Sequence, residues 1–249
     1  MNALLLFQLA QNPSPMVEHA REHPRLVKQD PIGQRHALEL GTLYVPPHPK
    51  RDTLLIHFHG APWIAELAAA RGHTAVVSVQ IGAGSSVYAK PFLDSGLFPR
   101  LVKEAEAKSG LRFTRITLSS WSAGYGAIRE ILKTNPDQVS RIVAIDSLHA
   151  GKETIAQDMA PFLAFARSGK PFLITHTEIY PHTFASTTET ADHLLDQLGL
   201  RRKAVLKWGP MKTQQISEAR RGKLTVKGFA GNTGPDHIDQ LHSLPALLR

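Results

Sequence analysis

The stretch that decides the reading is Leu118-Ser119-Ser120-Trp121-Ser122-Ala123-Gly124-Tyr125-Gly126-Ala127-Ile128-Arg129-Glu130. A β-rich run, residues 113–118 (FTRITL), leads into it, and a helical pattern over 123–133 follows, ending before Asn135-Pro136. A serine set in a sharp strand-to-helix turn is exposed at the carboxyl edge of a sheet, beside a helix N-terminus. The residues two before and two after it must be small, because the turn presses their backbones against neighbouring elements. Ser120 and Gly124 meet that demand, and Ala123 and Gly126 let the helix lie close to the sheet. A serine that merely caps a helix would also suit this stretch. Other parts of the chain must decide between a nucleophile and a cap.

Two stretches bear on the choice. His57-Phe58-His59-Gly60-Ala61 closes an apolar run, residues 53–59 (TLLIHFH). An oxyanion hole takes one backbone N–H from the residue after the nucleophile and another from a loop after an upstream strand. Ala123 supplies the first candidate. Ala61 supplies the second, because Pro62 has no N–H. Alternate strand residues such as His57 and His59 share a face and could also pair on a metal. A zinc site wants further ligands, however, and only Glu66 and His73 follow nearby. The other stretch is residues 229–239 (FAGNTGPDHID), where His237 sits in a Gly/Pro-rich loop that opens a helix. A general base must hang on such a loop to reach a nucleophile across the sheet edge, and histidine has a suitable pKa.

Around these stretches, short apolar runs alternate with helical patterns. Further strands are expected at 74–81, 141–145, 171–175 and 224–229, with 36–45 (HALELGTLYV) one strand or a hairpin. Helices are expected over 98–108, 153–167, 187–198 and the tail from His237. The alternation predicts an α/β fold with a mostly parallel sheet covered by helices on both faces. Only one helix fits between Asp146 and the strand at Pro171, so no large lid domain is expected. Residues 36–249 read as one domain preceded by an extension, 1–35.

Composition narrows the classes. The 249 residues are 42% apolar and 20% charged, an ordinary globular mix, and no run is apolar enough to span a membrane. There is no cysteine, hence no thiolate metal site and no cysteine nucleophile. The net charge of +8 is concentrated. Residues 201–227 hold nine basic side chains against one acid, Glu218, and the remainder balances. This stretch is either a solvated loop or hairpin, or a face for anionic surfaces or substrates. Trp208 is its lone aromatic, which argues against a nucleic-acid platform. Residues 3–10 (ALLLFQLA) have the look of a short signal core, but no basic start precedes them and Gln8 is poorly placed for cleavage. Export and a cytoplasmic location fit equally.

The H-x-H-G turn, the S-x-S-x-G turn at 120–124 and the late His237, in that order, resemble the α/β-hydrolase superfamily over residues 36–249. The resemblance implies an eight-stranded, mostly parallel sheet, with hydrolysis of a small acyl substrate through Ser122, an acid and His237, and no cofactor. Ser120 stands where the motif usually has glycine. For the acid, the superfamily most often uses a position matching Glu178, in THTEIYP, and some members use one matching Asp146. Asp146 is favoured because it ends an apolar run, RIVAI, at the expected edge, where a buried carboxylate needs a partner such as a histidine N–H. Trp63, Trp121 and Tyr125 flank the two turns and are candidates for lining the acyl pocket. The expected activity is that of a serine esterase, with amide cleavage and acyl transfer using the same residues. A non-catalytic member of the fold, or a binder acting through 201–227, are the competing classes.

Overall fold

The computed structural model describes residues 25–249, and the signal-like stretch 3–10 lies outside them. Ten strands form a single sheet in the order β1-β2-β4-β3-β5-β6-β7-β10-β9-β8. They are β1 (Gln34–Ala37), β2 (Thr42–Val45), β3 (Thr53–Phe58), β4 (Ala75–Val79), β5 (Arg115–Trp121), β6 (Val139–Ile145), β7 (Phe172–Thr177), β8 (Lys203–Trp208), β9 (Gln214–Arg221) and β10 (Leu224–Phe229). The six central strands, β4-β3-β5-β6-β7-β10, run parallel, and the antiparallel pairs β1–β2 and β9–β8 finish the two ends. The fold class is therefore α/β and mostly parallel, as expected, with ten strands in place of eight. One added strand comes from residues 36–45, which fold into a hairpin around Gly41, at φ +93°. The others are β8 and β9, whose polar residues alternate with apolar ones at the edge of the sheet.

Eight helices connect or cover the strands: α1 (Pro62–Gly72), α2 (Ser85–Ala89), α3 (Leu97–Ser109), α4 (Tyr125–Thr134), α5 (Ile155–Arg167), α6 (Thr187–Gln197), α7 (Gly234–His242) and α8 (Leu244–Leu247). Strand alternation divides the core between the two faces. Leu54, Ile56 and Phe58 point into the larger cluster, which includes residues of α2 through α6. Leu55, Val143 and Ile145 point into a smaller one that includes residues of α1, α7 and α8. In α3, Leu97, Phe98, Leu101, Val102 and Ala105 are buried at helical spacing, and left-handed Gly110 ends the helix. Capping boxes start α6, with Ser186 and Glu189, and α7, with Thr233 and Asp236. The described end of the N-terminal extension is tied to α7: Arg25 Nε donates to Asp239 Oδ1 (2.7 Å), and Leu26 N–H donates to His242 Nδ1 (3.1 Å).

The helices cover the first face as far as β10 and β9, where Val226 and Ala219 are buried. The second face is covered only to about β7. Beyond it, Thr225 and Lys227 of β10 and Glu218 and Arg220 of β9 look outward.

Candidate active site

The carboxyl ends of β3, β5 and β6 meet at one edge of the sheet, and each turns into its loop through a non-glycine residue in the left-handed region: His59 at φ +69°, Ser122 at +48° and Asp146 at +43°. Such backbone is disfavoured for L-residues and persists only where surrounding packing imposes it. At Ser122 the imposing contacts are explicit. Gly124 lies so close to β3 that a Cβ there would overlap the Phe58 carbonyl oxygen, and a Cβ at Gly126 would overlap the Ser85 carbonyl oxygen. Ser120 is fully buried, and its Oγ lies 2.6 Å from Ser147 Oγ. Ser147 gives its only proton to the Ser122 carbonyl (2.9 Å), so Ser120 is the donor to Ser147. The hydroxyl at 120 thus fills a place where glycine would leave space. It anchors β6 to the turn through Ser147, a residue that sequence reasoning missed.

Asp146 is buried, with 1% of its surface exposed. One carboxylate oxygen accepts from Thr187 Oγ1 (2.6 Å) and Thr177 N–H (3.0 Å); the other accepts from Thr177 Oγ1 (2.7 Å) and lies 2.6 Å from His237 Nδ1. Burial alone raises the carboxyl pKa. The bond and charge of His237, together with the threonine hydroxyls, outweigh burial and leave the carboxyl below its ordinary value. Glu178 is not part of this arrangement. Its Oε2 is buried without a hydrogen-bond partner, and burial, partly offset by Arg202, raises its pKa.

The His237 ring stacks on Trp121 (4.5 Å, 30°), which stacks on its other side against His59 (5.1 Å, 10°). Trp121 Nε1–H also donates to the His237 carbonyl (2.9 Å). His59 in turn bonds Tyr88 OH through Nδ1 (2.8 Å). His57 points the other way, to Ser119 Oγ (2.8 Å), and burial pushes its pKa down to about 3. The two histidines therefore serve separate contacts. Among the described residues no hydrogen bond joins Ser122 Oγ to His237, a bond that often tightens only when substrate binds.

Upstream, His59 N–H donates to the Val79 carbonyl (3.0 Å) and Gly60 N–H to Gln80 Oε1 (2.8 Å), so Ala61 is the next amide in that loop. Pro62 follows as the first residue of α1. A cavity of about 570 Å³ opens beside Ser122 and Ala123. Tyr125, His149 and Phe184 wall it, and Arg129 and Asp158, ion-paired at 2.7 Å, lie among its lining. Of the three aromatic candidates, Tyr125 alone lines this cavity. Trp63 packs edge-on against His242 (5.8 Å), in the cluster under α7 and α8, and Trp121 is committed to the histidine rings. His149 and Phe184 come from loops whose sequence carries no periodic signal.

No protein-family model matches the chain, and no curated protein matches it in sequence. Solved structures do match it. One is LpqC, a poly(3-hydroxybutyrate) depolymerase from Bordetella parapertussis, with 14% identity over 83% of this chain and 82% of that one and a TM-score of 0.54. Another is an S-formylglutathione hydrolase from Agrobacterium tumefaciens, with 13% identity over 90% and 96% and a TM-score of 0.50. The fold is that of the α/β-hydrolase superfamily.

Proposed function

We propose that this protein is a serine hydrolase of carboxylic esters, with Ser122 as nucleophile, His237 as general base and Asp146 as the acid that orients it. The observation that carries the proposal is the 2.6 Å contact between buried Asp146 and His237 Nδ1, beside a serine held at φ +48°. With Nδ1 occupied by Asp146, Nε2 is the nitrogen left for proton transfer. Ser122 Oγ attacks the acyl carbon while His237 takes its proton. The negative charge that forms on the former carbonyl oxygen is held by the Ala123 and Ala61 N–H groups, each worth about 3 kcal/mol of barrier. Collapse releases the alcohol, protonated by His237, and leaves the acyl group on Ser122. Water activated by the same histidine then frees the acid. The cavity walls of Tyr125, His149 and Phe184, with the Arg129–Asp158 pair among them, favour a short acyl group, because a long alkyl chain would strip water from that pair.

The test is a set of three variants assayed on p-nitrophenyl acetate and with a fluorophosphonate label. Ser122→Ala should lose both turnover and labelling. Ser119 and Ser120 are fully buried and offer the label no substitute. Asp146→Asn should lower kcat about 10⁴-fold, and Glu178→Gln should stay near the parent. A labelled Ser122→Ala protein, or a large loss confined to Glu178→Gln, would overturn the assignment.

A further inference from the structure

The bare part of the second sheet face carries the charge that the sequence concentrates in 201–227. Here the side chains of β9 and β10 alternate, with Glu218 and Arg220 beside Thr225 and Lys227, and Trp208 of β8 pairs with Gln214 of β9. Glu218 is ion-paired with both Lys207 (3.0 Å) and Arg220. Lys203, Lys212, Lys223 and Lys227 carry no ion pair among the described residues, so the face has a surplus of positive charge. A cavity of about 300 Å³ runs along it, lined among others by Arg141, Pro210, Arg220, Lys223, Thr225 and Lys227. The Arg141 guanidinium is spent on the carbonyls of Leu247 and Leu248 (3.1 and 3.0 Å), and neither contact neutralises it. Beside these cations stand the two most exposed large apolar side chains of the region, Leu206 (78%) and Trp208 (66%).

We propose that this face docks on an anionic lipid surface, with headgroup phosphates against Lys223, Lys227 and their neighbours and with Leu206 and Trp208 entering the interfacial layer. Lysines near an anionic leaflet add up in binding, and tryptophan and leucine gain by leaving water for the headgroup boundary. A second copy of the chain is a poor occupant. Its face would bring the same positive charge, and edge-strand lysines such as Lys203 and Lys207 oppose strand-to-strand pairing. A nucleic acid would use the cations but wants several stacking rings, and Trp208 stands alone in this stretch.

The experiment is co-sedimentation with phosphatidylcholine vesicles, with and without phosphatidylglycerol, at low and high salt. Heparin retention and light scattering are measured in parallel. The parent protein should bind only the anionic vesicles and release from them at high salt. Changing Lys223 and Lys227 together to Gln should weaken that binding about 30-fold. Changing Leu206 and Trp208 together to Ser should weaken vesicle binding and leave heparin retention unchanged. An unaltered melting temperature shows that the variants are folded. Failure to bind anionic vesicles at low salt would overturn the proposal. So would vesicle binding indifferent to Leu206 and Trp208, which would point to a general polyanion site, or a dimer that dissociates when Trp208 is replaced.

Discussion

Two histidines buried without charge should make the fold sensitive to mild acid. His57 and His176 are each 1% exposed, and burial pushes their pKa values from 6.5 down to about 3 and about 4. A neighbouring positive charge from Arg202 adds to the effect on His176. The folded state thus holds fewer protons than the unfolded chain below pH 6.5, and stability rises with pH in that window. This contribution is present in full above 6.5 and is lost as pH falls toward the folded values. Between about pH 7 and pH 5 each histidine costs about 2 kcal/mol, or about 4 kcal/mol together. For a chain of this size that is a fall of roughly 8–16 °C in melting temperature. His149, also lowered by burial, acts in the same direction, while Glu178, raised by burial, opposes it. Asp146 matters only below the ordinary carboxylate range, since its own value is lowered. Calorimetry across this range on the parent, His57→Gln, His176→Gln and the double variant is the assay. Each single variant should remove about half of the pH dependence, whatever it does to stability at neutral pH. A flat parent profile, or an undiminished slope in the double variant, would refute the reasoning.

Gly124→Ala should cost about 3 kcal/mol, read as a lower melting temperature, because the new methyl has only the β3 backbone to displace. Gly234→Ala, with open space around its Cβ, should stay within about 0.5 kcal/mol of the parent. Trp121→Phe keeps a ring against His237 but removes the donor to its carbonyl. Esterase kcat should fall about tenfold with KM nearly unchanged, and a drop in melting temperature with kcat intact would reduce Trp121 to a packing residue.

The parts of this arrangement that local sequence reveals are those whose geometry is set within a few residues. The turn around Ser122 is one, because small residues two positions either side are a local requirement. Asp146 is another, since an acid ending the RIVAI run must emerge at the sheet edge. What selects Asp146 over Glu178 is non-local: the hydroxyls that cradle it belong to Thr177 and Thr187, 31 and 41 residues away. The same limit hid Trp121's contact with His237, which lies 116 residues on. Strands β8 and β9 escaped the expected count because an edge strand needs no apolar run. Five of the six β8 residues are exposed, and its sequence, KAVLKW, shows no buried periodicity.

The left-handed backbone at His59, Ser122 and Asp146 has a bearing on how the sequence can change. Each such residue stores roughly 1–2 kcal/mol relative to glycine at the same angles, a noticeable share of the roughly 5–15 kcal/mol that keeps a domain folded. Heat resistance would therefore be easiest to gain at the positions that hold the stacked histidine, the serine and the carboxylate. Glycine at 122 or 146 would relax the chain while deleting the groups themselves. A lineage or a laboratory library selected for heat alone would drift toward glycine at these three codons, whereas one required to turn over ester would keep the strained residues and seek its stabilising changes elsewhere.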